Sequence, residues 1–348
     1  MSITHPAGLS PTVSAPDLVT GFPFPFPQET YRYSTNVEPA PGAVPTPTGQ
    51  WGEAVVDVDS EYVHELVERA AILGRDRSRH AWLPHMDVAC WDAMLCLMRE
   101  LSLTRPEAMA LTVLEPGVRP RYHWRNDLLG IDHTFLLGDP STLPDEPLAW
   151  IAAQVQEDIV LLDQRDGVLY GDAGVVTFAA DWSFGFDVGM SFLEIHGPVP
   201  RLHGEGIITR AHEFLKRLQP GETYRRTNWT LTIGRRLDVS TELYPEWGPD
   251  RDAVLLLDDE AFGRDVHLRV EVQHLIRLPE SGAVMFLIRT YLLPLVDLVQ
   301  VEHWRVRTAD VLEELPQDLA DYKGVAKYRH RTAAWLRARG DAGSAVAG

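Results

Sequence analysis

One histidine stands in a conformationally restricted segment, Ile195 to Pro200, whose sequence is IHGPVP. The two prolines lack backbone donors and have a fixed φ, so we expect this backbone to run extended. Gly197 carries no side chain and leaves room for a flat group beside the imidazole. His196 is therefore our candidate metal ligand, as the proximal ligand of a haem iron. The alternative is a buried histidine bonded to a neighbouring carbonyl.

Three further clusters bring together residue types that serve catalysis and ligand binding. They are Gln156-Glu157-Asp158, Arg226-Thr227-Asn228-Trp229 and Arg269-Val270-Glu271-Val272-Gln273. A carboxylate such as Glu157 or Glu271 suits a protonated amine, and Arg226 or Asn228 can donate hydrogen bonds to a ligand. These four residues are the catalytic candidates. For Glu157 the alternative is a solvated helix face, and for Glu271 it is an exposed sheet face with an ion pair.

Arginines near these clusters could bind carboxylates such as haem propionates, because a planar guanidinium matches a carboxylate. Arg226, Arg277 and Arg289 are candidates for this contact. Other chemistries lack their motifs: Ser191 stands in no GxSxG sequence, and no GxGxxG or phosphate-binding loop occurs. The two cysteines, Cys90 and Cys96, form no zinc motif, CxxC pair or CxxCH haem attachment.

The net charge of the chain limits the kinds of molecule that it can bind. The chain of 348 residues has 50 acidic and 32 basic residues, a net charge of -18. This field repels phosphate, so we expect neither nucleic acid nor an anionic membrane as a partner. No run approaches the ~18 apolar residues of a membrane span, and the N-terminus does not look like a secretory signal. Together with the lack of a disulfide framework, this predicts a cytoplasmic protein.

Composition divides the chain into an arm, one domain and a tail. Residues 1–50 are rich in proline, and we expect a partly disordered N-terminal arm. Its Phe22–Pro27 run is too apolar to stay in solvent, so it should lie over the globule or over a partner. Residues 51–338 should form one functional domain, and residues 339–348 a tail that frays.

Hydrophobic periodicity predicts the elements that must position the candidate residues. Helices are expected at 59–74, 86–101, 106–114, 150–162, 207–218 and from 311 onward. The expected inward stripe of the first helix is Val63, Leu66, Val67 and Ala70. Strands are expected at 121–125, 134–137, 168–170, 175–178, 230–234, 266–273 and 284–288, the last two as an antiparallel pair. This order indicates an α+β fold rather than a doubly wound one.

Taken in chain order, these clusters resemble one known family. The matching residues are Val155-Gln-Glu-Asp-Ile159, Trp182 with Gly189, Ile195-His-Gly-Pro-Val-Pro200, Arg226-Thr-Asn-Trp229, Leu268-Arg-Val-Glu271 with Gln273, Arg277-Leu-Pro279, Ser281-Gly282 and Phe286-Leu-Ile-Arg289. From about Phe22 to Tyr328 the chain resembles the haem-dependent oxidative N-demethylase alpha-subunit-like family. The resemblance implies a PAS-like antiparallel sheet core with flanking helices that binds haem b without covalent attachment. It also implies His196 as the axial iron ligand. Arg226, Arg269 and Arg277 are our candidates for the further cofactor-binding residues.

The characterised activity of that family is oxidative removal of a methyl group from dimethylamine. The resemblance therefore implies a haem-dependent monooxygenase that uses dioxygen on a small amine, with electrons from a separate flavin and iron–sulfur reductase. A haem-binding sensor or carrier without turnover is the alternative, and a haem-free scaffold protein is a second one. Asp187, Val272, His274 and Ile276 depart from the family pattern, which leaves the substrate and the reductase contact open.

Overall fold

The computed structural model describes residues 15–28, 35–201, 204 and 206–344, which form an α+β fold as predicted. The strands in these ranges are β1 Glu38–Ala40, β2 Val44–Thr46, β3 Gly49–Trp51, β4 His80–Trp82, β5 Met109–Glu115, β6 Arg121–Asn126, β7 Ile131–Leu136, β8 Asp158–Arg165, β9 Val168–Val175, β10 Thr223–Ile233, β11 Val266–Arg277 and β12 Val284–Pro294. The helices are α1 Ala15–Thr20, α2 Tyr62–Arg75, α3 Asp87–Thr104, α4 Pro147–Ala152, α5 Phe184–Asp187, α6 Phe192–Ile195, α7 Ile207–Arg217, α8 Tyr244–Trp247, α9 Asp250–Ala253, α10 Asp259–Asp265, α11 Leu295–Leu298, α12 Glu302–Glu314, α13 Gln317–Tyr322 and α14 Arg329–Ser344. Within the described ranges, no helix combines the length and the apolar character needed to cross a membrane.

A seven-stranded antiparallel sheet, in the order β1-β10-β11-β12-β8-β9-β4, forms the centre of the molecule. The two-residue turn Asp166–Gly167 joins β8 to β9, with φ of 52° and 75°. A type I′ hairpin turn requires positive φ at both positions, and Asp-Gly is a preferred pair there. β11 and β12 pair antiparallel, as predicted, from His267 opposite Pro294 to Arg277 opposite Val284.

Both faces of this sheet are covered. We call the face that carries the Glu271 and Leu275 side chains the front face; it packs against α6 and α7 through an apolar cluster that includes Phe192. We call the opposite face the back face. It carries Ile276, because successive side chains of a strand point to opposite faces, and it packs against α3. Every residue of β11 is buried. The interpretation of its polar residues as an exposed sheet face is therefore wrong.

The N-terminal Phe-Pro run packs on the domain. Phe24 stacks on Trp304 with ring centres 5.0 Å apart, and Phe26 meets the Trp229 ring edge-on at 4.9 Å. Phe26 is only 6% exposed, so this run buries apolar surface as the sequence indicated. Residues 1–14, the outer part of the predicted disordered arm, lie outside the described residues. At the other end, α14 continues to Ser344, beyond the start of the predicted tail at 339.

Two predicted helices are wrong. Residues 106–114 contribute to the strand β5, because pairing with β6 overrides the helix propensity of the local sequence. At 150–162, α4 ends at Ala152 and β8 begins at Asp158. The apolar run Ile159–Leu162 fits either a helix or a strand buried on both faces, and periodicity does not separate the two. β8 lies between β12 and β9, and this interior position explains its continuous apolar sequence.

Of the stripe predicted for helix α2, only Leu66 is buried. Val63 and Val67 are 52% and 62% exposed, whereas Glu65 and Arg69 are buried. The Glu65 carboxylate turns inward because Arg289 of β12 lies 2.8 Å away. The predicted stripe assumed that apolar residues face the core. Because the interior ion pair draws Glu65 inward, Val63 and Val67 face the solvent instead.

Candidate functional site

His196 follows a single helical turn. Ser191 begins α6 with a capping box: its hydroxyl accepts the Glu194 N–H at 3.3 Å, and the Glu194 carboxylate accepts the Ser191 N–H at 2.8 Å. The His196 N–H then donates to the Phe192 carbonyl at 3.3 Å. The predicted extended conformation is therefore wrong at His196, because the capping box starts a helical turn that the following prolines stop.

The imidazole of His196 is held by its own helical turn. Nδ1 lies 2.8 Å from the Phe192 carbonyl oxygen, and since a carbonyl only accepts, Nδ1 carries the hydrogen. In the neutral form of the ring the lone pair then belongs to Nε2, and this is the tautomer that a metal-ligating histidine needs. The ring also packs on the Phe192 ring, with centres 4.3 Å apart. The hydrogen bond to a carbonyl that we expected of a purely structural histidine is therefore present. The same hydrogen bond also suits Nε2 to metal binding.

Four predicted polar residues meet on the front face. Asn228 stands opposite Glu271, and Arg226 stands opposite Gln273, on the paired strands β10 and β11. Asn228 Nδ2 and Gln273 Nε2 both approach Glu271 Oε2, at 3.2 and 3.0 Å. Glu271 is 8% exposed, so this carboxylate sits in the interior with two amide donors. The helices that cover this face include α6, which ends beside His196.

Lys323 joins this front-face group, although no pattern in the sequence indicated it. It follows α13 and reaches the outer edge of β10, where Nζ donates to Asn228 Oδ1 at 3.2 Å and to the Trp229 carbonyl at 2.7 Å. Burial lowers the pKa of Lys323 to about 8, and the Glu271 carboxylate opposes this shift. A lysine with this pKa can give up or take a proton near neutral pH.

Arg269 and Arg277 bind protein carbonyls. Arg269 donates to the carbonyls of Phe178 and Leu237, the latter at 2.8 Å, and is fully buried. Arg277 donates to the Leu215 and Leu218 carbonyls, both at 3.0 Å. Leu215 lies in the last turn of α7 and Leu218 directly follows the helix, so Arg277 caps this helix from the sheet. Both guanidiniums hold the elements around the front face. Arg269 Nε also lies 3.5 Å from Glu271 Oε1, so Arg269 belongs to the polar group together with Arg226.

Glu157 lies away from the other candidates. The predicted solvated helix face is wrong, because Glu157 is 1% exposed and directly precedes β8. Its Oε1 accepts the Asp57 N–H at 3.0 Å, and burial raises its pKa to about 7 against the attraction of Arg289. Arg289 pairs with Val272 and so points to the back face. Glu157 therefore belongs to the side of the sheet opposite the Glu271 group.

The back face carries a cluster of ion pairs that the sequence did not indicate. Arg289 contacts Asp59 at 2.6 Å and Glu65 at 2.8 Å, and all three line a cavity of about 640 Å³ together with Asp57 and Tyr291. The Tyr291 hydroxyl donates to Asp57 at 2.5 Å. These contacts join α2 and the segment before it to the end of β12.

A comparison with known families identifies the family of this chain. A family model described as haem-dependent oxidative N-demethylase, alpha subunit-like, matches residues 48–333. The matched range includes His196, the polar group on β10 and β11, and Lys323, and it spans most of the chain. The chain belongs to the haem-dependent oxidative N-demethylase alpha subunit-like family, whose name points to a haem-dependent oxidoreductase.

Proposed function

We propose that this protein is a haem-dependent monooxygenase that removes a methyl group oxidatively from a small amine. One observation carries the proposal within the matched family: α6 packs on the apolar part of the front face through Phe192, and its Phe192 carbonyl binds His196 Nδ1, the arrangement that suits Nε2 to an iron. An amine oxidised beside a haem needs an iron ligand on one side and a polar group that recognises nitrogen on the other. His196 and Glu271 are our candidates for these two roles.

The front face offers the groups that a haem requires. Phe192, Leu275 and Val284 contribute apolar surface in one cluster, which suits a porphyrin ring. Arg226 supplies a guanidinium for a propionate, and His196 Nε2 supplies the axial nitrogen. We propose haem b, because the sequence has no motif for covalent attachment. When bound, the haem would supply dioxygen activation for oxidation of a C–H bond next to nitrogen.

The connectivity supports a PAS-like domain as the frame of this site. β8 and β9 precede α5, α6 and α7, and β10, β11 and β12 follow them. β8 and β12 lie side by side in the sheet, so the first and the last strand of this unit are neighbours. The helices between β9 and β10 then cover one face, and we propose the haem between that face and the α6–α7 segment.

Glu271 is the proposed contact for the substrate ammonium. Its Oε2 already accepts from Asn228 and Gln273, and these amides orient the carboxylate, whose Oε1 lies 3.5 Å from Arg269 Nε. Gln273 Oε1 has no hydrogen-bond partner among the described residues, so it offers a second acceptor. Lys323 orients Asn228 through its Oδ1. Burial of this group excludes water from the reacting amine.

We propose that electrons come from a separate flavin and iron–sulfur reductase. Both cysteines of the chain, Cys90 and Cys96, lie on α3. Common iron–sulfur clusters are held by four cysteine thiolates, so this chain cannot supply such a set. Dioxygen and a small amine complete the proposed reactants.

Amine-dependent oxygen uptake tests the function. The purified chain, supplied with a ferredoxin-type reductase, is offered a panel of methylated secondary amines while dioxygen and formaldehyde are followed. We expect uptake and aldehyde in equal amounts. Glu271→Gln should lower kcat/KM about 10- to 100-fold, since a hydrogen bond to a charged group is lost, without changing the haem absorption. Glu302→Gln is the matched control, because Glu302 is 87% exposed on α12.

Two outcomes would contradict the proposal. A haem-containing, reducible protein that yields no aldehyde from any amine would favour the sensor or carrier, which needs no turnover. A protein that binds no haem would favour the scaffold.

A further inference from the structure

A second group of ligand-type side chains lies at the β8–β9 hairpin. His85, Asp163 and Asp172 each offer one ligand atom, and these atoms all lie within 4.8 Å of one another. His85 Nε2 is 2.9 Å from Asp172 Oδ2 and 3.8 Å from Asp163 Oδ2. Ligands bound to one ion at about 2.1 Å stand about 3 to 3.4 Å apart. Small side-chain adjustments would therefore bring all three atoms around one ion.

The elements that carry these residues are joined by backbone bonds. Asp163 and Asp172 stand on the antiparallel strands β8 and β9, which the Asp166–Gly167 turn connects. His85 lies in the 3₁₀ turn Pro84–Met86. The Leu83 N–H donates to the Asp172 carbonyl at 2.8 Å, which fixes this turn beside β9. A site on strands and a bonded turn is held more rigidly than a site on a free loop.

A cationic nitrogen stands between the three ligand atoms. Arg165 Nη1 is 2.7 Å from Asp163 Oδ2 and 3.5 Å from His85 Nε2, and it also contacts Asp172 Oδ2. The guanidinium rests over the Tyr170 ring at 3.9 Å. The Arg165 side chain is 39% exposed, so it can turn outward into solvent without breaking the core.

Asp172 is the member of the cluster that points most strongly to a ligand. Its side chain is fully buried, yet Oδ1 has no hydrogen-bond partner in the part of the chain that the structure describes. A buried carboxylate is normally paired or bound to a metal. Arg165 is a single positive charge shared between two carboxylates, which leaves one negative charge uncompensated.

We propose that His85, Asp163 and Asp172 form a binding site for a divalent first-row metal ion, and that Arg165 competes with the metal for it. One imidazole nitrogen with two carboxylate oxygens suits Mn²⁺, Co²⁺ or Zn²⁺ better than thiophilic ions. The two carboxylates balance the charge of such an ion once the guanidinium turns away. The site lies on the hairpin of β8 and β9 and is separate from His196 and the front-face group.

Metal titration of the untagged full-length chain tests the site. After dialysis against EDTA, the protein is titrated with Mn²⁺, Co²⁺ and Zn²⁺ by calorimetry, and bound metal is counted by elemental analysis after desalting. We expect one ion per chain. Arg165→Gln should tighten binding at least about tenfold, because it removes the competing charge. His85→Ala and Asp163→Asn should each weaken binding at least about tenfold, because each removes a ligand.

His123→Ala provides the matched control. His123 and Asp132 form a similar pair at 2.9 Å, and no third ligand group accompanies them among the described residues, so metal affinity should not change. Failure of Arg165→Gln to bind any of the three ions at 1 mM would overturn the proposal. Wild-type affinity in both His85→Ala and Asp163→Asn would do so as well. The side chains of His85 and Asp163 are 46% and 30% exposed, so folding should survive.

Discussion

The front and back faces of the central sheet hold their buried carboxylates in different ways. On the back face, Arg289 meets Asp59 and Glu65 at 2.6 and 2.8 Å, and the carboxylates are neutralised by direct ion pairs. On the front face, Glu271 Oε2 accepts from the amides of Asn228 and Gln273, which carry no charge, and Glu271 Oε1 lies 3.5 Å from Arg269 Nε. The first arrangement joins elements through short ion pairs, whereas the second orients one carboxylate by neutral amides beside a longer ion pair. We therefore expect back-face substitutions to act on stability and front-face substitutions on activity.

Arg289→Met should have the largest effect on stability. The guanidinium is 3% exposed, and its loss leaves Asp59 and Glu65 without their shared cation. Breaking a buried ion pair on one side costs about 3–5 kcal/mol, which urea unfolding at pH 7 would measure. The haem absorption of the folded fraction should stay unchanged.

Arg235→Met is the matched control for that substitution. Arg235 also pairs with an α2-side carboxylate, Glu61, but is 48% exposed. An exposed pair contributes at most about 1 kcal/mol. Equal losses of stability for the two variants would mean that the Arg289 contacts do not hold the back face together.

Glu157→Gln should change how stability depends on pH. The pKa of buried Glu157 is about 7 in the folded chain against an ordinary value of 4.5. The folded state thus binds this proton more tightly, which adds stability that is complete below pH 4.5 and disappears as the pH rises through 7. Glutamine does not titrate, so the stability of wild type relative to the variant should fall by about 2 kcal/mol from pH 5 to pH 8. A pH-independent difference would contradict this account.

Lys323→Met should have the smallest effect, and it should appear in the pH profile of the reaction. Burial lowers the pKa of Lys323 to about 8, so the ammonium that orients Asn228 loses its proton above that pH. We expect kcat/KM of wild type to decline several-fold between pH 7 and pH 9, relative to the variant. If the ratio of the two is constant across that range, Lys323 does not act on the site.

Regular, amphipathic elements were the predictable part of this fold. The helix predicted at 207–218 and the strand pair at 266–273 and 284–288 occur as α7, β11 and β12. The helix and the strand at 266–273 each carry a period that only one element type satisfies, and the hairpin-like turn at 278–283 assigns the apolar run at 284–288 to the partner strand. The capping box of Ser191 and Glu194 was also visible as an S-x-x-E pattern, and it would have predicted the helical turn before His196.

The residues that complete the site could not be predicted locally. Lys323 lies 95 positions from Asn228, and no pattern in the sequence connects them. Glu65 turns inward only because it pairs with Arg289, which lies on a strand more than 200 residues later in the chain. Such pairings depend on the tertiary fold, which overrides the periodicity of a single helix.

The visible spectrum of His196→Gly tests the central claim most directly. We expect the purified wild type to show a Soret band, the variant to lose or shift it, and added imidazole to restore it by occupying the vacated position. His212→Asn and His203→Ala are the controls; His212 is on α7 beside Phe192, and His203 lies outside the described residues. Both should keep the wild-type spectrum. An unchanged band in His196→Gly, with loss of the band in either control, would show that another histidine binds the iron.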